Sequence, residues 1–515
     1  MNISGWLYQA ARVCPEAPAI RFGADVYATY GEFAQHSFGI AQYLAETLGV
    51  SQGDRVALFI SNCPEYLEVL HAVLWIGAIV VPINHKLHPR EAAWIIGDAK
   101  AKVVITEAGN TFPNADDLEN DCIECGIRHH GLNPGANAMI KLSAPAQRSR
   151  NDVAWLFYTS GTTGRPKGVM TTHGNLIAMS LAYAMDVDNA LSTDNSLYAA
   201  PMSHGAGLYH FPIIRVGGCH VIPRSRGFDP VEIAELADTL GNLVFFAAPT
   251  MVKRQIAHAR ETGYDGAGIK TIIYGGGPMY QADIDEALKY FGARLVQIYG
   301  QGESPMTITV LPRELVADTK HKNANLRRAS VGYAQAGVQV RVVDEAMHDL
   351  PVGEVGEVVV LGDTVMKGYW GNDKASADAI VDGWLRTGDL GSMDADGFLT
   401  LSDRSKDVII SGGTNIYPRE VEETILAHEM VSEVSVIGIP SPEWGEDVLA
   451  FVVLERDSSC DSKHLDAWCK SRMASFKKPK KYYFVHELPK NSYGKVLKTS
   501  LRERVALDLG GEHRA

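Results

Sequence analysis

A short segment rich in glycine and hydroxyl side chains is the part of the chain best suited to chemistry. Residues 158–168 read YTSGTTGRPKG. The hydroxyls donate hydrogen bonds, the glycines let backbone N–H groups approach an anion, and the lysine adds a positive charge. The candidate binding residues are Thr159, Ser160, Gly161, Thr162, Thr163, Gly164 and Lys167. The segment predicts a polyphosphate-binding loop, and a mobile surface loop is the alternative from composition alone.

The loop differs from the Walker nucleotide-binding pattern. That pattern needs Gly-x-x-x-x-Gly-Lys-Ser/Thr, whereas here Lys167 precedes Gly168. The apolar run at 155–158 predicts a strand leading into the loop, and residues 174–183 have a helical pattern after it. We therefore expect the order strand, loop, helix, which brings phosphate to a helix N-terminus.

The length and the order of predicted elements indicate two domains. A chain of 515 residues exceeds the size at which a single core stops growing. Up to about residue 400, helical patterns alternate with short β-branched runs, as in a layered α/β domain. A polar stretch at 402–406 is followed by a smaller α+β unit. We predict an N-terminal domain at 1–401 and a C-terminal domain at 402–515.

Composition excludes several classes of protein. The net charge of -13 argues against a nucleic-acid binder, which needs a basic face. Seven scattered cysteines indicate reduced thiols, and Cys122 and Cys125 form a Cys-x-x-Cys without a second pair to complete a zinc site. No apolar run reaches 18 residues and the N-terminus does not resemble a signal peptide. We expect a cytoplasmic protein without a membrane span.

Further segments follow in a fixed order, and together with the loop they resemble the motifs of the adenylate-forming superfamily. This superfamily includes acyl-CoA synthetases, carrier-protein adenylation domains and beetle luciferases. The matching segments are PMSHGAG at 201–207, YGGGP at 274–278, QIYGQGE at 297–303, WLRTGDL at 384–390, the run from 403 to 418, and LPKNSYGK at 488–495. The resemblance implies an α/β fold with a large layered N-terminal domain and a small α+β C-terminal domain.

The resemblance also implies a nucleotide site. The loop would hold the β- and γ-phosphates of ATP, Tyr299 would stack on adenine, and Glu303 would hold magnesium. A carboxylate suits magnesium because this ion prefers hard oxygen ligands beside phosphates. The other implied contacts are with adenine at Gly276, Gly277, Pro278 and Gln297, and with ribose at Asp389 and Arg404.

His204 is implied to gate the acyl pocket and to move between two half-reactions. Taken alone, a histidine among small residues is more often a packed structural residue. The small residues at 205–207 and Gly277 suggest room beside the pocket, and Phe245 and Phe246 suggest an apolar wall. We expect an aryl or medium-chain acid rather than acetate.

Gly302 departs from the superfamily pattern, which has a threonine hydroxyl near the α-phosphate. A hydrogen bond to a charged group contributes about 1.5–3 kcal/mol, or on the order of ten- to a hundredfold in rate. Gln301, a loop hydroxyl or a water can replace it. We therefore expect Gly302→Thr to keep adenylation activity.

The C-terminal segments would supply a moving catalytic group. The resemblance makes Lys406 the hinge residue and puts Gly412 and Gly413 along the path of the pantetheine arm. Lys495 is implied to be the catalytic lysine. A cation between a carboxylate and an α-phosphate lowers their repulsion and stabilises pentavalent phosphorus. The basic run at 477–481 is interpreted as a solvated edge, with contact to CoA phosphates as the alternative.

These features predict an AMP-forming acyl-CoA synthetase that uses ATP, magnesium and coenzyme A. Its catalytic residues would be Lys495, Glu303 and His204. An adenylation enzyme that loads a carrier protein shares every motif and stays open as the alternative. A non-catalytic nucleotide-binding module would be expected to lack Lys495 or Glu303. The expected partners are a small carboxylic acid, ATP and CoA, and a homodimer is left open.

Overall fold

The computed structural model describes most of the chain, in ranges with short gaps. These ranges are 1–107, 112, 122–127, 142–159, 166–277, 279–404, 407–411, 414–441, 444–456, 458–491 and 496–511. Side chains are described in these ranges except at 403–404 and 506–511. Within the described ranges, no helix is both long and apolar enough to span a membrane.

A nine-stranded sheet forms one layer of the N-terminal part. Its six inner strands run parallel, and antiparallel strands close both edges. In spatial order the strands are Tyr333–Ala334, Ser304–Leu311, Leu295–Gln301, Ile269–Tyr274, Leu243–Ala247, Asn195–Leu197, Cys219–Ile222, Pro18–Phe22 and Asp25–Thr29. Most residues of the parallel strands are apolar, as expected for strands that are covered by helices on both faces.

A six-stranded sheet forms a second layer, and the candidate phosphate loop belongs to it. Four parallel pairings lead to one antiparallel hairpin at the edge. In spatial order the strands are Ile123–Gly126, Val103–Thr106, Arg55–Phe59, Ile79–Pro82, Val153–Thr159 and Lys167–Thr172.

The helix Pro64–Ile76 joins the two large sheets. It contacts strands of both sheets and packs against the helix Tyr30–Glu46. Its residues are buried almost all round, as expected for a helix that is apolar on every side. The core cluster around it includes Ile20 of one sheet and Val80 of the other.

A smaller antiparallel sheet completes the N-terminal part. Its strands are Val338–Val343, Gly356–Gly362, Trp384–Met393, Ile380–Val381 and Leu399–Arg404. The strand Leu399–Arg404 pairs with Trp384–Met393 across the predicted boundary between residues 401 and 402. The division into residues 1–401 and 402–515 stays a prediction, and this strand runs through its boundary.

The C-terminal part has its own five-stranded sheet and its own cores. The strands are Thr414–Ile416, Ile409–Ser411, Gly445–Leu454, Val431–Ser441 and Lys481–Phe484. The helices Pro418–Leu426, Ser462–Lys470 and Lys498–Gly511 pack with it. The predicted α+β unit is confirmed.

The helices of the N-terminal part cover the sheets. They are Gly5–Val13, Tyr30–Glu46, Pro64–Ile76, Pro89–Ala99, His173–Ala182, Gly205–Leu208, His210–Val216, Pro230–Leu240, Pro249–Thr262, Gln281–Phe291, Arg313–Val316, Ala324–Ala329 and Asp373–Ala379, with a π-helix at Tyr183–Val187.

Candidate active site

The candidate phosphate loop connects two antiparallel strands. Val153–Thr159 pairs with Lys167–Thr172, and Thr159 lies directly opposite Lys167. The expected order strand, loop, helix is wrong, because the helix His173–Ala182 begins only after this second strand. The β-branched residues at the end of the second strand favour the extended conformation.

This hairpin changes how the loop could hold an anion. Six residues of strand separate the loop from the helix N-terminus, a distance of roughly 20 Å. The helix dipole therefore does not act at the loop, since its effect falls off within one turn. Any phosphate contacts would come from the loop's own N–H groups and side chains. Residues 160–165 of the loop lie outside the described residues.

Tyr369 joins two of the predicted site residues. Lys167 Nζ lies 4.8 Å from the centroid of the Tyr369 ring. The Tyr369 hydroxyl donates a hydrogen bond of 2.8 Å to Glu303 Oε1. The predicted phosphate lysine and the predicted magnesium carboxylate are thus brought together by one aromatic side chain.

The segment that carries Tyr369 is anchored on both neighbours. Trp370 N donates to Gly168 O at 2.7 Å, and Met366 N donates to Glu303 O at 2.8 Å. Sequence reasoning missed Tyr369. Its only signal was an aromatic residue after a glycine, outside any periodic apolar pattern.

Glu303 lies in the tight connection between the antiparallel strands Leu295–Gln301 and Ser304–Leu311. Gly302 makes this turn pack closely on the strand before the loop. A Cβ at position 302 would lie 2.5 Å from Thr159 Cγ2 and 2.8 Å from Phe157 Cδ1. This close packing argues against the expectation that Gly302→Thr keeps its activity, because a threonine needs both neighbours to move.

Asp389 is buried and accepts two hydrogen bonds through Oδ2. The Tyr299 hydroxyl donates at 2.6 Å and Gln301 Nε2 donates at 2.5 Å. Gln301 Nε2 also donates to the Thr387 carbonyl at 3.0 Å. The suggestion that Gln301 replaces the missing threonine at the α-phosphate is not supported, since its amide is bound to the predicted ribose carboxylate.

At two glycines of the predicted adenine turn an added Cβ would make ordinary van der Waals contacts without a clash. Gly276 has φ of +80°, and a Cβ added there would lie 3.8 Å from its nearest atom, Phe246 Cζ. A Cβ added at Gly277 would lie 3.7 Å from its nearest atom, Pro249 Cγ. Pro278 lies outside the described residues. Gln297 is buried and accepts a hydrogen bond of 3.2 Å from the Tyr274 hydroxyl, so it is tied to the sheet.

His204 lies beside the loop strand. Its ring packs edge-on against Phe157, with centroids 5.1 Å apart, and its Nδ1 lies 3.2 Å from Ser203 Oγ. Burial lowers the pKa of His204 to about 3, so the ring is neutral near neutral pH. The candidate gate, the loop strand and the Gly302 turn are contiguous through Phe157.

The small residues after His204 serve close packing. An added Cβ would lie 2.5 Å from Met306 Sδ at Gly205 and 1.8 Å from Met202 O at Gly207. The room that we expected from these two glycines is therefore already filled.

Contacts join the C-terminal part to the region of the adenine turn. The Tyr280 hydroxyl donates to Glu422 Oε2 at 3.2 Å. Lys253 Nζ donates to Ser432 O at 3.2 Å and pairs with Asp283 at 3.2 Å. These contacts hold the C-terminal part beside the predicted nucleotide site.

The predicted hinge, pantetheine-path and catalytic residues of the C-terminal part lie outside the described residues. These are Lys406, Gly412, Gly413 and Lys495, and only the backbone of Arg404 is described. Val496, the next residue after Lys495, forms an antiparallel bridge with Lys490.

Comparisons with known proteins identify the family. A family described as AMP-binding enzyme matches residues 7–370, and its C-terminal domain matches residues 420–495. Feruloyl-CoA synthase of Amycolatopsis sp is 35% identical over 98% of this chain and 99% of that protein. ATP-bound MatB from Rhodopseudomonas palustris is 29% identical, with a TM-score of 0.88 over 98% of this chain and 99% of that one.

A third relative has been solved with magnesium as well as ATP. The O-succinylbenzoate CoA synthetase MenE from Bacillus subtilis, solved with ATP and magnesium, is 30% identical, with a TM-score of 0.85 over 96% of this chain and 99% of that one. The predicted fold is confirmed. The chain therefore belongs to the AMP-binding enzyme family of adenylate-forming enzymes and is an AMP-forming acyl-CoA synthetase.

Proposed function

We propose that one site, between the loop, the Glu303 turn and the Asp389 strand, catalyses two half-reactions. In the first, a carboxylate oxygen attacks the α-phosphorus of ATP, the bond to the bridging oxygen of pyrophosphate breaks, and acyl-AMP forms. In the second, the thiol of CoA loses its proton and attacks the acyl carbonyl, and AMP leaves. The connected side chains Lys167, Tyr369 and Glu303 carry this proposal.

Lys167 supplies positive charge to the leaving phosphates. Its ammonium group lies 4.8 Å from the centroid of the Tyr369 ring, and this contact favours a position of the half-buried lysine beside Glu303. A cation held in place before reaction stabilises developing charge without reorganisation. The residues of the loop, Thr159 to Gly164, would add N–H and hydroxyl donors.

Glu303 fits a magnesium ligand by its chemistry. It is a half-buried carboxylate whose Oε1 is held by Tyr369, close to the lysine proposed for the phosphates. Carboxylate oxygen beside substrate phosphate is the usual protein ligation of magnesium. When bound, magnesium would neutralise phosphate charge.

Asp389 is proposed to hold the ribose. Two donors on Oδ2 keep this buried carboxylate in one orientation. A carboxylate so held suits the vicinal hydroxyls of a ribose, because each oxygen has two acceptor sites. Tyr299 has a double role in this proposal, with its hydroxyl on Asp389 and its ring against adenine.

Lys495 is proposed as the group that bridges the carboxylate and the α-phosphate in the first half-reaction. The C-terminal domain, residues 402–515, then rotates about Lys406 and removes Lys495 from the site. Gly412 and Gly413 would line the path that opens for pantetheine. The contact of Tyr280 with Glu422 supports an arrangement in which the two domains meet at the nucleotide site.

The experiment that tests the proposal measures both products over a panel of carboxylic acids. Pyrophosphate release with acid and ATP alone reports acyl-AMP formation, and its acceleration by CoA reports thioester formation. We expect CoA thioester and AMP in equal amounts. Pyrophosphate release without any CoA thioester, together with acyl transfer to a carrier protein, would favour the carrier-loading alternative.

A further inference from the structure

A small buried cavity lies behind the adenine turn and has no role in the proposal above. Its free volume is about 10 Å³, which is room for one water-sized group. Half of the residues that line it are aromatic, and these are Tyr183, Tyr198, Tyr209, Phe245 and Phe246.

The cavity is next to the region proposed for the acid. Ala206, which lines it, belongs to the short helix that begins directly after His204. Phe246, which also lines it, has its ring 3.8 Å from the position of a Cβ at Gly276. Strands of the large sheet end here, where open α/β sheets bind ligands.

The Tyr209 hydroxyl is the unusual group in this lining. Tyr209 is 5% exposed, and among the described residues its hydroxyl has no hydrogen-bond partner. The Tyr198 hydroxyl in the same lining lies 2.8 Å from His220 Nδ1. A buried hydroxyl without a partner is costly, so Tyr209 is suited to bind a polar group that the free protein lacks.

Tyr209 has an aromatic neighbour, Tyr183, that belongs to a π-helix. The ring of Tyr209 packs against the ring of Tyr183, with centroids 4.6 Å apart. Tyr183 begins the π-helix Tyr183–Val187, and such π segments are frequent at functional sites.

We propose that the Tyr209 hydroxyl recognises a hydrogen-bonding substituent at the end of the acid remote from its carboxylate, so that the enzyme selects aryl acids with a ring hydroxyl. The inference rests on the proposed function. An acid that reacts near the loop and extends past His204 points its remote end toward Ala206 and the cavity. The cavity has room for one hydroxyl and is too small for an alkyl chain or a ring, so the ring that carries the hydroxyl would lie outside it, between His204 and the cavity.

The test compares acids that differ only in a ring hydroxyl. The pairs are 4-hydroxycinnamate with cinnamate and 4-hydroxybenzoate with benzoate, and kcat/KM is measured from CoA-dependent pyrophosphate release. The wild type should prefer the hydroxylated member of at least one pair by roughly tenfold. Tyr209→Phe should lower kcat/KM for that acid by about three- to tenfold and leave its unsubstituted partner nearly unchanged.

Tyr198→Phe is the matched control, because it removes a hydroxyl from the same lining that already has a partner. It should keep the preference, and thermal melting checks that both variants are folded. A wild type with no preference, or Tyr209→Phe with the wild-type preference, would overturn the inference. If no acid releases pyrophosphate, the proposed function fails instead.

Discussion

The Tyr369 hydroxyl donates a 2.8 Å hydrogen bond to Glu303 Oε1, and the same ring faces Lys167 Nζ at 4.8 Å. Three distant parts of the chain therefore act as one unit. The hydrogen bond fixes the carboxylate, and the ring fixes the ammonium group. A single aromatic side chain thus sets the spacing of a cation and an anion on which ATP and magnesium would bind.

Tyr369→Phe should separate these two effects. The variant keeps the ring against Lys167 and removes the bond to Glu303, which as a bond to a charged group contributes about 1.5–3 kcal/mol. We expect acyl-AMP formation to fall roughly tenfold or more, with more magnesium needed for half-maximal rate. A magnesium titration of pyrophosphate release checks this. Tyr27→Phe, at a half-exposed tyrosine, is the control and should leave the titration unchanged. An unchanged magnesium titration in Tyr369→Phe would contradict a role of the Tyr369–Glu303 hydrogen bond in magnesium binding.

Gly302→Thr should lower activity and stability. The new side chain would meet Thr159 Cγ2 and Phe157 Cδ1 well inside contact distance. Such overpacking typically costs 1–3 kcal/mol, so we expect a drop of about that size in the free energy of unfolding. Denaturant unfolding and pyrophosphate release measure the two effects. Adding Thr159→Ser removes one of the two clashing groups, the Thr159 methyl, and should restore part of the lost stability. A fully active and stable Gly302→Thr would contradict the prediction and show that the turn adapts.

Sequence patterns predicted the layered fold. The site residues came from the resemblance to the superfamily and stay a prediction, and of these the structure connects Tyr299 with Asp389 directly and Lys167 with Glu303 through Tyr369. The α/β alternation and the change after residue 400 could be predicted because the spacing of apolar residues directly reflects which side chains are buried. The hairpin after the loop was missed because Lys167–Thr172 is a short edge strand with little alternation. Tyr369 was missed because its role depends on contacts with residues distant in sequence.

A chain of buried histidines predicts a dependence of stability on pH. Ser4 Oγ lies 3.0 Å from His71 Nδ1, His71 Nε2 lies 3.1 Å from His210 Nε2, and His210 Nδ1 donates to the Gly207 carbonyl. One proton on each ring gives every bond one donor and one acceptor. A second proton on His210 would put two N–H groups face to face, at His210 Nε2 and His71 Nε2. A second proton on His71 would require the Ser4 hydroxyl to accept instead of donate.

Burial lowers the pKa of His210 to about 4. An unfolded histidine titrates near 6.5, so below that pH the unfolded state binds more protons and stability falls as the pH falls. One such histidine contributes a loss of about 1.4 kcal/mol between roughly pH 7.5 and 5.5. His210→Gln should flatten this slope in denaturant unfolding, and the exposed control His348→Gln should not. Equal slopes in wild type and His210→Gln would exclude the assignment.

The contact of Tyr280 with Glu422 predicts an effect on the balance of the half-reactions. Tyr280→Phe removes one bond between the two parts of the chain, while Glu422 keeps Lys498 at 3.1 Å and Val436 N at 2.8 Å. If this arrangement serves adenylation, acyl-AMP formation should fall by about two- to tenfold. Thioester formation from added acyl-AMP should keep its rate. Tyr290→Phe, on the partly exposed helix Gln281–Phe291, is the control and should keep both rates. An equal loss of rate in both half-reactions of Tyr280→Phe would contradict the prediction.

The central claim is that a carboxylate oxygen of the acid attacks the α-phosphorus of ATP. Acid labelled with ¹⁸O in both carboxylate oxygens, turned over with ATP and CoA, tests it by mass spectrometry of the nucleotide product. The account predicts AMP that carries one ¹⁸O atom, together with unlabelled pyrophosphate. Unlabelled AMP, or ADP with ¹⁸O in inorganic phosphate, would contradict it.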